Sequence, residues 1–183
     1  MSMLELNHLE TVLARAEVIH TERQVAAAID RMAETIRRDY ERKNPLMICV
    51  MRGGLYTAAE LYRRLQFPMQ QDYMHVSRYR NDTSGGAFEW KVKPATALKG
   101  RHVLIMDDIL DEGITLREIL RYCSGLEAAS VEVAALTRKL HNRCVDGAGA
   151  KYIGLDVPDK YVFGCGMDYQ GYFRNLNAIH ALP

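Results

Sequence analysis

Val103-Leu104-Ile105-Met106-Asp107-Asp108-Ile109-Leu110-Asp111-Glu112-Gly113-Ile114-Thr115-Leu116 carries three local signals in fourteen residues. Its first four residues form an apolar run of strand length, the pattern of a strand buried on both faces. Two adjacent carboxylates, Asp107 and Asp108, follow, and then an acidic, glycine-containing turn. A helix is predicted from about Thr115 to Cys123, opening near Gly113. A helix start presents free backbone N–H groups and the positive end of the dipole, which suit a phosphate. Thr115 adds a hydroxyl donor. The paired acids repel an anion and suit instead ribose hydroxyls or Mg²⁺, both partners of hard oxygen ligands. Those properties describe a site for a phosphorylated sugar with a metal. The same spacing also fits a surface turn whose acids merely cap a helix.

Working outward, strands and helices alternate. Leu46–Met51 is a second continuous apolar run, followed by the Arg52-Gly53-Gly54 turn and a helical pattern over Leu55–Leu65. Val131–Leu136 reads as a third strand, with shorter ones at Tyr152–Leu155 and Tyr161–Phe163. Upstream, Thr21-Glu22-Arg23-Gln24 fits a capping box, and Val25, Ile29, Met32 and Ile36 recur at helical spacing until Asn44-Pro45 stops the helix. Such alternation predicts an α/β domain built on a parallel sheet. Ligands of such sheets bind beyond the carboxyl ends of the strands, where the acid pair falls. Ser77–Pro94 breaks the pattern with Gly85-Gly86, Asn81, Asp82 and the only Trp, and is expected to be a long loop or hairpin acting as a lid.

Composition narrows the function. At 183 residues a single domain spanning 1–183 is expected. Lys plus Arg is 24 against 23 for Asp plus Glu, a net charge of +1, without the basic excess of a nucleic-acid or anionic-membrane binder. The four cysteines (Cys49, Cys123, Cys144, Cys165) form no C-x-x-C pair, so neither structural zinc nor a disulfide framework is expected. The N-terminal MSMLELNHLE has no basic segment before an apolar core, and no apolar run approaches the ~18 residues of a membrane span. A cytoplasmic protein is the expectation.

The acid-pair segment resembles the phosphoribosyl-diphosphate motif of the type I phosphoribosyltransferases: hydrophobic strand, two acids, two apolar residues, Asp, a short glycine-containing loop, Thr. A second stretch, Val157-Pro158-Asp159-Lys160-Tyr161-Val162-Phe163-Gly164-Cys165-Gly166-Met167-Asp168-Tyr169-Gln170-Gly171-Tyr172-Phe173-Arg174-Asn175-Leu176, is similar to the C-terminal signature of hypoxanthine-guanine phosphoribosyltransferases. The resemblance runs from about Val25 to Leu182. It implies the type I phosphoribosyltransferase fold: a central, mostly parallel sheet flanked by helices, a small hood subdomain from the N- and C-terminal segments, and a flexible lid loop at 77–94.

By the same resemblance, Asp107 and Asp108 grip the ribose hydroxyls and help seat Mg²⁺. Asp111 matches the residue near purine N7, the candidate general acid/base, and Glu112, Gly113, Ile114 and Thr115 match the 5′-phosphate loop. Arg52 and Gly53 match a diphosphate-contacting loop that often carries a non-proline cis peptide, here Met51-Arg52. Lys139 corresponds to the reader of the C6 oxygen, Tyr161 to the stacking residue and the Val162 backbone to a base-edge partner. Asp168 corresponds to a second Mg²⁺ ligand, Arg174 to a diphosphate ligand and Tyr79 to the mobile lid, while C2 contacts come from backbone near Met167 and Asp168. Arg138 and Lys139 point to opposite faces of a strand, so only one enters the pocket; counting from Leu136 favours Lys139.

Two departures from the family pattern stand out. Many relatives have Thr-Gly-polar/basic-Thr where this chain has Glu112-Gly113-Ile114-Thr115, which puts an acid beside the phosphate and removes a basic partner. Backbone N–H groups can still bind, so activity is expected to persist with phosphate affinity the property at stake. In the lid, Arg78 and Arg80 flank Tyr79. The activity implied is Mg²⁺-dependent transfer of 5-phosphoribosyl from 5-phosphoribosyl 1-diphosphate to N9 of hypoxanthine or guanine, in a homodimer or homotetramer. The alternatives are a xanthine-preferring enzyme and a phosphoribosyl-diphosphate-sensing regulator that binds RNA.

Overall fold

The computed structural model describes residues 3–78 and 88–183. The chain runs α1 (Met3–Arg15), β1 (Glu17–His20), α2 (Glu22–Tyr40), β2 (Leu46–Val50), α3 (Gly54–Arg64), β3 (Gln70–Arg78), β4 (Phe88–Val92), β5 (His102–Leu110), α4 (Ile114–Gly125), β6 (Ser130–Lys139), β7 (Tyr152–Val157), β8 (Val162–Phe163) and β9 (Ile179–Ala181). Six strands form the central sheet in the order β4-β3-β2-β5-β6-β7. All its pairings are parallel except β3 with β4. The chain is an α/β protein with a mostly parallel sheet covered on both faces.

Period-two alternation builds that sheet, because successive strand residues face opposite sides. Met47, Cys49, Leu104, Met106, Ala134 and Leu136 face one layer, packed with Val25, Ile29, Met32 and Ile36 of α2 and Leu61 of α3. Leu46, Ile48, Val50, Val103, Ile105 and Val133 face the other, with Leu116, Ile119 and Cys123 of α4. The strands read as unbroken apolar runs because both faces are buried. α2 begins where its capping box predicts: the Thr21 hydroxyl accepts from Gln24 N–H, and the Gln24 side chain accepts from Thr21 N–H.

β5 departs from expectation. The strand continues through Asp107 and Asp108 to Leu110 rather than ending before the acids. Its ladder with β6 pairs Asp107 with Ala135, Ile109 with Thr137 and Leu110 with Arg138, so backbone bonding carries both carboxylates in extended conformation. Part of the 77–94 segment is likewise strand: β3 and β4 form an antiparallel hairpin in which Trp90 pairs with Val76. Lid residue Tyr79 lies outside the described residues.

A second, three-stranded antiparallel sheet, β1-β9-β8, joins residues near the two chain ends. These strands are two to four residues long and carry no extended apolar run, so the sequence signal for β1 and β9 was too weak to read. Among the described residues no helix is long and apolar enough to cross a membrane.

Sheet topology fixes where a ligand can sit. From β2 the chain moves outward to β3 on one side, and β5 then pairs on the other. The order therefore reverses between β2 and β5, and the crevice beyond their carboxyl ends is the topological switch point. The turn Met51-Arg52-Gly53 leaves β2 there, and Asp111-Glu112-Gly113 leaves β5 beside it.

Candidate active site

A cavity of about 650 Å³ opens at that point, walled by Arg52 and Gly53 from the β2 turn, Asp107, Asp108 and Asp111–Leu116 from β5 and α4, and Asp168 and Arg174 from the C-terminal segment. The Met51–Arg52 peptide is cis. Gly113 caps α4 in the left-handed conformation at φ 73° and makes no side-chain cap bond of its own. The paired acids bond locally instead. Asp107 Oδ1 accepts from the N–H of Asp108 at 2.9 Å, and Asp108 Oδ1 from Ile109 at 2.8 Å. The first turn of α4, with Ile114 and Thr115, lines the cavity, an arrangement that favours an anion. Glu112 contributes its carbonyl to Val145 N–H at 2.9 Å, which ties the loop to the segment after β6.

Burial pushes the Asp107 carboxyl well above the usual carboxylate range, and the charge of Asp108 adds to the effect. Burial also raises Asp108. Paired carboxylates whose charge is disfavoured in this way are stabilised by hydroxyl donors or a cation. Arg174 already supplies positive charge: it contacts Asp168 through one nitrogen and lies 3.7 Å from Asp108 through another. Its Nη1 donates to the Gly166 carbonyl at 2.5 Å, and its buried Nε has no hydrogen-bond partner among the described residues.

Backbone contact brings the two halves of the site this close. A Cβ on Gly53 would run into the Asp108 carboxylate, and one on Gly166, at φ 100°, would run into the Gly53 carbonyl. Glycine is required at both positions by close approach, and at Gly166 also by its dihedral.

For Mg²⁺, the chain offers hard oxygen donors in ones and twos. Asp107, Asp108 and Asp168 line one cavity, but among the described residues no group of three His, Cys, Asp or Glu gathers into a cage. Mg²⁺ is commonly held by one or two carboxylates with water and substrate phosphates completing the octahedron, so this donor set fits it.

A neighbouring cavity of about 310 Å³ shares Asp108, Ile109, Asp111 and Asp168 with the first and adds Lys139, Tyr161, Val162 and Met167. Lys139 Nζ donates to Asp111 Oδ2 at 2.6 Å. Arg138 faces away and forms a bidentate pair with Asp156 on β7, at 2.8 and 3.0 Å. The lysine, not the arginine, enters the cavity. Tyr161, half exposed, lines this space and donates its hydroxyl to the Asp168 carbonyl at 3.1 Å. Burial acts to raise the Asp111 carboxyl, but hydrogen bonds from Lys139 and His141 outweigh it and leave the group below the usual carboxylate range.

The sequence reading did not include His141. Its Nε2 lies 2.7 Å from Asp111 Oδ1. A histidine two residues beyond a strand-end lysine carries no signal of its own, because the loop after β6, not strand periodicity, turns it back toward Asp111. Thr137 was also missed: buried, it donates to the Asp108 carbonyl at 2.9 Å and fixes the strand under the acid pair.

Comparison with known proteins agrees with this architecture. The phosphoribosyl transferase domain family model matches residues 15–170. The hypoxanthine-guanine phosphoribosyltransferase of Streptococcus pneumoniae (strain ATCC BAA-255 / R6) is 34% identical over 175 residues, covering 95% of this chain and 96% of its own. The hypoxanthine-guanine-xanthine phosphoribosyltransferase of Tritrichomonas foetus is 31% identical over 165 residues, covering 90% of each chain. A Staphylococcus aureus hypoxanthine phosphoribosyltransferase of known structure superposes with a TM-score of 0.85 at 28% identity, over 91% of each chain. The chain belongs to the phosphoribosyltransferase family, within its hypoxanthine-guanine branch, and is a transferase.

Proposed function

We propose that the protein salvages purines by transferring the 5-phosphoribosyl group of 5-phosphoribosyl 1-diphosphate to N9 of hypoxanthine or guanine, releasing diphosphate. One observation carries the reading. The Lys139–Asp111 pair, with its 2.6 Å contact, stands in a base-sized cavity that shares Asp108 and Asp111 with the larger cavity lined by the start of α4. An ammonium donor beside a carboxylate acceptor matches a purine presenting a C6 oxygen and an N7 proton.

In this reading, backbone N–H groups of Gly113–Thr115 hold the 5′-phosphate, and Asp107 and Asp108 accept from the ribose hydroxyls. Arg52 and Arg174 hold the diphosphate, Tyr161 stacks on the base and the Val162 backbone bonds its edge. Asp107, Asp108 and Asp168 would hold Mg²⁺, which supplies positive charge to the diphosphate as it leaves. As the glycosidic carbon gains oxocarbenium-like character, the arginines stabilise the departing oxygens and Asp111 accepts the N7 proton. Lys139 donates to the C6 oxygen. Adenine, whose C6 amine would face that ammonium, is rejected. The β1-β9-β8 sheet forms the hood.

Four free cysteines suit a reducing cytoplasm. Assembly into a homodimer or homotetramer completes the proposal. A xanthine activity is a second reading, favoured by the similarity to the Tritrichomonas foetus enzyme whose name includes that base.

The test is diphosphate release from 5-phosphoribosyl 1-diphosphate and Mg²⁺, with hypoxanthine, guanine, xanthine, adenine and uracil in separate reactions. Release with 6-oxopurines alone is expected. Release with none of the bases would overturn the proposal and leave RNA binding, read from its steep salt dependence, as the activity to test.

A further inference from the structure

Asp111 accepts from two sides. Lys139 Nζ lies on Oδ2 at 2.6 Å, and His141 Nε2 lies on Oδ1 at 2.7 Å. The imidazole is 3% exposed, and its other nitrogen, Nδ1, accepts from the backbone N–H of Arg143 at 3.0 Å. A ring nitrogen that accepts cannot carry the proton, so in the neutral ring the proton sits on Nε2 and is directed at Asp111. The Arg143 backbone thus fixes the tautomer that donates to the carboxylate.

We infer that His141 is a positioning residue for the transfer reaction, holding Asp111 in place when Lys139 leaves it for the base. This rests on the proposed function. A purine bound in the smaller cavity competes for the Lys139 ammonium, because the same Nζ cannot face both the C6 oxygen and Asp111 Oδ2 at full strength. On losing that partner the carboxylate would rotate about its Cβ–Cγ bond. The Nε2–H on Oδ1 restrains that rotation and leaves Oδ2, the oxygen just vacated, facing the base to take the N7 proton. Among the described residues, Lys139 and His141 are the charged or titratable groups hydrogen-bonded to Asp111. Arg143 and Asp159 face His141 from the loop and from the segment after β7, and they neutralise each other through two 2.7 Å contacts.

Two variants separate positioning from simple loop support. His141→Gln places an amide N–H where Nε2 stands and gives up the acceptor for Arg143. His141→Asn places an amide oxygen where Nδ1 stands, keeps the Arg143 bond and falls short of Asp111. Diphosphate release with hypoxanthine is measured for both across pH, with thermal unfolding as the check on folding.

If His141 positions Asp111, the Asn variant loses on the order of tenfold or more in kcat/KM, the scale of one hydrogen bond to a charged group. KM for 5-phosphoribosyl 1-diphosphate stays put, and the acid limb of kcat/KM moves to higher pH because Asp111 has lost a donor to its ionised form. The Gln variant recovers most of that loss. If the Asn variant matches wild type, or if Gln falls further than Asn, His141 only supports the loop and the inference is overturned. A wild-type protein inactive with every base would overturn the proposed function, and this inference with it.

Discussion

Asp111, Lys139 and Gly53 carry the sharpest consequences at the scale of single residues. Asp111→Asn keeps the shape of the carboxylate and removes its basicity. Its kcat for diphosphate release is expected to fall by roughly 10²- to 10⁴-fold, the usual contribution of a general acid/base. Lys139→Ala removes the donor that distinguishes a C6 oxygen from a C6 amine. Its KM for hypoxanthine is expected to rise about tenfold or more, with weaker discrimination against adenine, read from competition between the two bases. Arg138→Ala leaves both constants near wild type, since that guanidinium pairs with Asp156 on the sheet surface. Gly53→Ala tests geometry rather than chemistry. The added methyl meets the Asp108 carboxylate and must displace it. Impaired use of 5-phosphoribosyl 1-diphosphate with a nearly unchanged unfolding temperature is expected; wild-type kinetics would show that the Asp108 position does not matter.

Among the elements, α2 and β5 divide stability from function. α2 buries Val25, Ile29, Met32 and Ile36 against the sheet, away from the site. Ile36 is fully buried, so Ile36→Ala is expected to cost about 2–5 kcal/mol in chemical denaturation while kcat persists below the unfolding transition. Thr21→Ala removes one half of the capping box and costs about 1 kcal/mol. β5 does the opposite work: it carries two half-buried acids in extended conformation to the switch point, held by the ladder with β6 and by the Thr137 hydroxyl. The sequence shows the apolar start of β5 plainly. It does not show that the strand runs on through the carboxylates, because acids are poor strand formers by composition and only a parallel neighbour keeps them in the ladder.

For the molecule as a whole, acid stability depends on carboxylates held below their ordinary range. At Asp72, burial acts to raise the carboxyl, but backbone N–H groups of Thr96 and Tyr73 outweigh it and lower it. At Asp39 the Tyr152 hydroxyl, followed by Lys151, lowers the carboxyl. A carboxyl with a depressed folded pKa contributes stability that is fully present above its unfolded value. That stability is lost as pH falls through the folded one. The contributions of Asp72 and Asp39 to the denaturation midpoint are therefore expected to be complete above about pH 4 and to be lost below it, with Asp72→Asn flattening part of that fall. An unchanged slope in that variant would remove Asp72 from the account.

What the sequence determined alone is whatever local chemistry can state. Period two with unbroken apolar runs makes a doubly covered sheet, Thr21–Gln24 opens a helix, and a strand ending near acids and a glycine turn marks a ligand-binding edge. Fold class and the acid-pair site follow from these, and the family resemblance added residue roles by motif. Tertiary structure alone decided the rest. Only the arrangement of β6 against β7 sends Arg138 to Asp156 and leaves Lys139 to the cavity. Only the return of the C-terminal segment sets Arg174 between Asp108 and Asp168, and only the loop after β6 turns His141 onto Asp111. Those partners lie 6 to 66 residues apart in the chain. Hydrogen bonds and ion pairs act over a few ångströms, so no periodicity or local spacing records them until the sheet has brought the elements together.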